Sequence, residues 1–146
     1  MLVNSPDLNS EIVATLKRCK GVLVDHYGDL LHALILFGSA ARQTLAPESD
    51  LDLLVVLHPP FDYFQELHTL VNVLYPVQLE ASHWISAKPA LVQEFESGRT
   101  QLYRNIQQEG VSVYRELRNV SATDAEQAIA TTEVFLQQVQ QLLNQP

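Results

Sequence analysis

Two acidic residues separated by one position stand at the start of an apolar run. Asp50 and Asp52 belong to the segment Ser49-Asp50-Leu51-Asp52-Leu53, and the run continues to Leu57. Residues two apart on a strand point to the same face, so we expect both carboxylates on one side. Neighbouring carboxylates repel each other and are costly beside apolar residues unless a cation lies between them. Oxygen ligands favour a hard cation, with Mg²⁺ expected, although such a pair is also typical of a polar loop that leads into a strand.

A glycine–serine pair directly follows the preceding apolar run. The segment 33–37 predicts a buried strand, and Gly38-Ser39 comes next. Glycine permits a sharp turn and a close approach of the backbone to a ligand, and the N–H groups and hydroxyl at the start of a helical turn suit phosphate oxygens. Arg42, one turn further on, would add positive charge. Alone, the pattern is also typical of an ordinary strand-to-helix turn; combined with the acidic pair, it predicts a site for phosphate and metal.

The combined pattern resembles the signature of the DNA polymerase β-like nucleotidyltransferase superfamily. Within it, the pattern is similar to the minimal nucleotidyltransferases (MNT), which include antitoxin partners of HEPN-domain proteins. The residues that match are Gly38, Ser39, Arg42, Ser49, Asp50 and Asp52. The resemblance implies that the glycine–serine turn holds a nucleoside triphosphate, ATP, and that the paired acids bind two Mg²⁺ ions. Gln43 departs from the pattern, because the family usually has glycine there.

The family also supplies a third carboxylate from a neighbouring strand. The segment 77–82 alternates between apolar and polar residues, which predicts a half-buried strand, and Pro76 is predicted to end the helix before it. Glu80 is the only acid on the polar face of this strand, so we expect it to act as the third metal ligand and catalytic residue. If Gln78 occupies the position instead, the third carboxylate is absent.

The remaining patterns predict the elements that position these residues. Helical spacing predicts helices at about 6–26, 61–74, 88–97 and 99–109, and strands are predicted at 33–37, 51–57, 77–82 and 111–114. The expected class is α+β, with a small mixed sheet flanked by helices, and the resemblance implies the nucleotidyltransferase fold. Residues 1–118 would form that domain. Residues 119–146 would form a C-terminal helix that packs on the domain, on a second copy in a homo-oligomer, or on a partner.

The composition excludes several classes of protein. A length of 146 residues suits one domain, and 17 acidic against 9 basic residues give a net charge of −8. This charge disfavours a broad nucleic-acid-binding surface, which must be basic. No apolar run approaches the roughly 20 residues of a membrane span, and the single cysteine excludes a disulfide framework. We therefore expect a cytoplasmic protein. The five histidines lack the spacing of a metal site and are expected to be structural or exposed.

Three functions follow from these patterns. The resemblance implies a Mg²⁺-dependent nucleotidyltransferase that transfers AMP from ATP to a hydroxyl, with a tyrosine of a HEPN-domain toxin as acceptor and antitoxin activity as the result. A small-molecule acceptor of the aminoglycoside type is an alternative, although such enzymes usually carry an extra helical domain. The third possibility is a binding module that neutralises its partner by contact, without catalysis.

Overall fold

One mixed sheet organises the described part of the chain. The computed structural model describes residues 6–41 and 49–116. The elements are α1 (Pro6–Tyr27), a 3₁₀ turn (Gly28–Leu30), β1 (Leu31–Phe37), β2 (Leu51–Leu57), α2 (Tyr63–Glu80), β3 (Ile85–Leu91), α3 (Val92–Glu96), α4 (Gln101–Glu109) and β4 (Val111–Arg115). The strand order is β3-β2-β1-β4, with β2 and β3 parallel and the other pairs antiparallel. The predicted fold class is therefore confirmed, whereas the predicted tail helix lies outside the described residues.

Different helices bury the two faces of the sheet. Helices α1 and α2 cover one face, where they pack on Leu53 and Val55 of β2. Helices α3 and α4 cover the other face, where they pack on Leu54 and Val56. Successive residues of β2 thus enter opposite cores, which explains its nearly continuous apolar sequence. Among the described residues, none of the helices has the length and apolar character needed to cross a membrane.

Helix α2 is longer than the sequence predicts. It continues through Pro76, where the sequence predicts its end, and reaches Glu80. Burial explains the continuation, since Val77 lies on the same buried face of the helix as Leu74. A proline inside a helix removes one backbone hydrogen bond and costs about 3 kcal/mol or more, and the packing of this face offsets that cost. The strand predicted over 77–82 is therefore wrong.

The third strand lies further along the chain, where the sequence predicts the start of a helix. β3 contains Lys88 and Pro89, and its apolar character is weak. Both residues are typical of edge strands, because an edge strand leaves one row of its backbone groups unpaired. β3 is indeed an edge strand of the sheet that the described residues form, and it contains neither aspartate nor glutamate.

Candidate active site

The end of β1 and the start of β2 bring the two halves of the sequence motif together. Phe37, the last residue of β1, pairs with Asp52 in the antiparallel register. Gly38 follows with a φ of 74°, in the left-handed region that favours glycine. A Cβ at Gly38 would overlap Oδ2 of Asp52 and would lie 3.1 Å from its Cγ. The backbone of the turn therefore lies directly against the carboxylate, an approach that only glycine permits.

The two acids of the motif differ in exposure. Asp50 is exposed and directly precedes β2, whereas Asp52 is partly buried as the second residue of the strand. Leu54 and Val56 belong to the core beneath α3 and α4. Because side chains alternate along a strand, Asp52 lies on the same face of the sheet as these two residues. The paired acids thus begin a strand whose continuation is buried, as the sequence predicts.

A buried histidine supports the backbone immediately before the acids. Nδ1 of His83 donates a hydrogen bond of 2.9 Å to the carbonyl of Ser49, and His83 is only 5% exposed. This bond fixes the backbone next to Asp50. Ser39 is partly buried in the turn at 38–41, and Arg42, the remaining residue of the predicted site, lies outside the described residues.

Glu80 does not lie on a strand beside the paired acids. It is the last residue of α2, its side chain is 68% exposed, and its carboxylate lies 3.6 Å from Arg18 of α1. The amide of Gln78 donates to the carbonyl of His83 and accepts from the N–H of Ile85, so it closes the turn into β3. The strand on which the third carboxylate was expected is absent, so the role of Glu80 stays a prediction that no strand position supports.

The strand beside Asp52 supplies a hydroxyl and a cation. Ser86 of β3 pairs with Asp52, and Lys88, which is exposed, lies two residues further along. Residues paired in register share a face of the sheet, so Ser86 and Lys88 lie on the face that carries Asp52. Trp84 precedes the strand, is 65% exposed, and accepts a hydrogen bond of 2.8 Å from the N–H of Leu51 through its carbonyl. Asp52 thus pairs with a hydroxyl-bearing residue of β3, and the residue between the two acids is bonded to the backbone of Trp84.

The structure also forms a cluster that the sequence does not reveal. His32, His58 and Glu116, termed here the His–Glu cluster, lie together at the other end of the sheet. Nδ1 of His32 and Nε2 of His58 lie 2.9 and 2.7 Å from Oε1 of Glu116. Burial raises the pKa of Glu116, but hydrogen bonds from both histidines outweigh burial and lower the pKa below its ordinary value of 4.5. Only the register of β1 with β2 and β4 could have indicated this cluster.

The comparisons with known proteins agree with the fold and the motif. The family model of polymerase β nucleotidyltransferases matches residues 19–119. The chain belongs to this family. A relative from Methanocaldococcus jannaschii, provisionally named a protein adenylyltransferase, is 36% identical over 66 residues. That match covers 45% of this chain and 66% of the relative, which is just under two thirds of its length.

Solved structures extend the comparison to the whole fold. A crystal structure from Sulfolobus solfataricus, provisionally described as a nucleotidyltransferase, has a TM-score of 0.52 at 16% identity. The superposition covers 82% of this chain and 94% of that chain, and it shows a shared fold. A mutant MntA–HpeT toxin–antitoxin structure has a TM-score of 0.43 at 16% identity, over 86% of this chain and 89% of that chain.

Proposed function

We propose that the chain is a Mg²⁺-dependent nucleotidyltransferase that transfers AMP from ATP to a hydroxyl group. The observation that carries the proposal is the contact between the Gly38 turn and the carboxylate of Asp52. A turn suited to phosphate oxygens and a carboxylate suited to a cation are adjacent there. Membership of the polymerase β nucleotidyltransferase family supports the same reaction.

The donor groups at this end of the sheet fit Mg²⁺. Asp50 and Asp52 offer carboxylate oxygens, which are the ligands that a hard divalent cation prefers. When bound, Mg²⁺ would neutralise the charge that develops on the triphosphate. The two aspartates would hold the metal-bound triphosphate, while Gly38 and Ser39 would orient its phosphates and Arg42 would add positive charge.

Nucleotidyl transfer requires mainly alignment and charge compensation from the protein. The oxygen of the acceptor hydroxyl forms a bond to the α-phosphorus as the bond from that phosphorus to pyrophosphate breaks. The hydroxyl loses its proton to solvent water, and pyrophosphate leaves with the bonding electrons. The chain's contribution is to hold the α-phosphorus in line with the acceptor, and the hydrogen bond from His83 to Ser49 supports that alignment by fixing the backbone beside Asp50.

The acceptor that we propose is a tyrosine hydroxyl of a HEPN-domain toxin, for which this chain would be the antitoxin. The MNT-like motif supports this choice, and so does an exposed apolar surface on α2. Phe64, Val71, Tyr75 and Leu79, termed here the α2 stripe, are 79, 62, 58 and 67% exposed. Their spacing of seven, four and four residues puts them on one side of the helix. Contiguous exposed apolar surface is typical of protein-binding sites.

The identity of the acceptor is tested by measuring whether the mass of the partner protein increases. The full chain is incubated with Mg²⁺, ATP and the protein that its neighbouring gene encodes, and the intact mass of that protein is then measured. We expect the partner to gain one or more AMP units on tyrosine, and we expect no gain with the Asp52→Asn variant. An unmodified partner, with AMP appearing instead on a small-molecule acceptor, would contradict the assignment of a protein substrate.

The role of the α2 stripe is tested separately by measuring the affinity of the chain for its partner protein. Val71→Asp introduces a charge into the stripe, and we expect it to weaken the partner complex at least about tenfold. Since Val71 is exposed, the free energy of unfolding should change by no more than about 0.5 kcal/mol. The control is Leu102→Asp, at a 39% exposed position on α4 outside the stripe. Equal affinities of the two variants would contradict a role for the stripe.

A non-catalytic binding module is the second candidate function, and one observation favours it. The residue that pairs with Asp52 on β3 is Ser86, and no residue of that strand carries a carboxylate. A chain with this donor set could neutralise its partner by contact alone. In the mass experiment, a tight complex with an unmodified partner would favour the module, and AMP on the partner would exclude it.

A further inference from the structure

The His–Glu cluster forms where β1 begins and β2 and β4 end. His32 is the second residue of β1, His58 follows β2, and Glu116 follows β4. The N–H of His58 donates to the carbonyl of Leu30 at 2.9 Å, and the N–H of Glu116 donates to the carbonyl of His32 at 3.0 Å. Backbone hydrogen bonds of the sheet therefore hold the three residues in place. At 3.3 Å per residue, β1 separates His32 from Gly38 by roughly 20 Å.

The ligating atoms of the cluster already lie close together. One nitrogen of each histidine and an oxygen of Glu116 all lie within 4.8 Å of one another. The Glu116 oxygen is 2.9 Å from Nδ1 of His32 and 2.7 Å from Nε2 of His58. Ligand atoms around a tetrahedral zinc ion lie about 3.3 Å apart, given bonds of about 2.0 Å. A small outward movement of the three side chains would thus create room for an ion.

We propose that the His–Glu cluster binds a divalent transition-metal ion, with Zn²⁺ as the best match. Two imidazole nitrogens and one carboxylate oxygen form a donor set typical of open zinc sites. Imidazole disfavours Mg²⁺ and Ca²⁺, which prefer oxygen ligands. The side chains of His32, His58 and Glu116 are 19, 25 and 15% exposed, so the site is shielded while water can still reach a remaining coordination position.

A second carboxylate lies on the opposite side of the ring of His32, one of the proposed ligands. Oε2 of Glu96, on α3, lies 3.7 Å from Nε2 of His32, while Nδ1 of the same ring faces Glu116. Histidines that bind metals usually donate their other ring N–H to a carboxylate or carbonyl, which fixes the tautomer and the ring orientation. His32 thus faces a carboxylate on each side of its ring, with Glu116 within hydrogen-bond distance and Glu96 at ion-pair distance.

The test uses Co²⁺ as a visible substitute for Zn²⁺. The full chain is stripped of metal with a chelator and titrated with Co²⁺, and Zn²⁺ is then added. We expect one Co²⁺ per chain, bound with a saturable visible absorption that Zn²⁺ abolishes. His58→Gln should weaken binding at least about 100-fold, and Glu96→Gln by about 10-fold. The matched control, His68→Gln, alters an exposed histidine of α2 and should bind like the wild type.

Three outcomes would overturn the proposal. The first is a wild-type chain without a saturable Co²⁺ spectrum, a result that needs no variant and does not depend on how a variant folds. The second is a His58→Gln chain that binds Co²⁺ as tightly as His68→Gln. The third is loss of the spectrum in Asp52→Asn, which would locate the ion at the paired acids instead. Because the two sites lie at opposite ends of β1, none of these outcomes decides whether the chain transfers AMP.

Discussion

The two ends of the sheet carry different chemistry, although antiparallel pairing of β1 with β2 builds part of both. At one end, the turn after β1 meets Asp52 at the start of β2. At the other end, His32 and His58 meet Glu116 beside the start of β1. The first end offers carboxylate oxygens and backbone N–H groups, which suit a hard cation with phosphates. The second offers imidazole nitrogens, which suit a transition metal.

The ends also differ in how far apart in the chain their residues lie. The end of the sheet that carries Asp52, termed here the acidic end, is assembled from a segment of 15 residues, from Gly38 to Asp52. This segment forms a motif that can be found in the sequence. The His–Glu cluster joins positions 32, 58 and 116, which no motif connects. One sheet thus presents a local site that sequence reveals and a non-local site that only strand register reveals.

The largest effect on AMP transfer is expected from a substitution at the acidic end of the sheet. Asp52→Ala should lower AMP transfer by about 10³-fold or more, because it removes a charge that stabilises the reacting phosphates. The rate is measured with radiolabelled ATP, and folding is checked by circular dichroism. Asp25→Asn is the control, since it removes an exposed carboxylate of α1, a helix that contributes no residue to the motif. Metal-dependent transfer that survives in Asp52→Ala would contradict the assignment.

A smaller effect is expected from the turn that faces Asp52. Gly38→Ala should lower transfer by roughly 10- to 100-fold, because a Cβ there would push the carboxylate out of position. Gly28→Ala is a matched control, since Gly28 also has a positive φ, of 54°, but among the described residues no atom beyond its chain neighbours lies within 4 Å of a Cβ there. Both variants should lose about 1–2 kcal/mol of stability from backbone strain. Equal transfer rates would show that contact with Asp52 is irrelevant.

A smaller effect still is expected from a substitution of His83, the buried histidine near the acidic end. His83→Ala removes the hydrogen bond to the Ser49 carbonyl, and we expect a loss of stability of about 1–3 kcal/mol. Transfer should fall by roughly tenfold, mainly through kcat, because the backbone beside Asp50 would lose its support. Urea unfolding and steady-state kinetics measure the two effects, with the exposed His68→Ala as control. A stability loss without any change in kcat would assign His83 a purely structural role.

The smallest effect is expected at Glu80, the last residue of α2. Glu80→Gln should leave transfer within about twofold of wild type, because Glu80 lies on α2 and pairs with Arg18. The pair is largely exposed, so its loss should cost less than about 1 kcal/mol. The rate is measured under the same conditions as for Asp52→Ala. A loss as large as that of Asp52→Ala would restore Glu80 as the third carboxylate.

Local patterns predicted most of the fold and the core of the candidate site. β2 and the Gly38 turn follow from apolar runs and from the conformational freedom of glycine. Two predictions were wrong. Helix α2 continues past Pro76 because Val77 packs in the core, and β3 was missed because an edge strand needs little apolar sequence. The support from His83 and the His–Glu cluster could not be predicted, since both depend on contacts between distant segments.

We propose that the Gly38 turn and the paired acids together hold one metal-bound triphosphate. A crystal structure of the full chain with Mg²⁺ and a non-hydrolysable ATP analogue tests it most directly. We expect Mg²⁺ bound by carboxylate oxygens of Asp50 and Asp52, with the phosphates against the N–H groups of Gly38 and Ser39. An analogue bound elsewhere, or one whose phosphates contact neither the turn nor a metal on these acids, would contradict it.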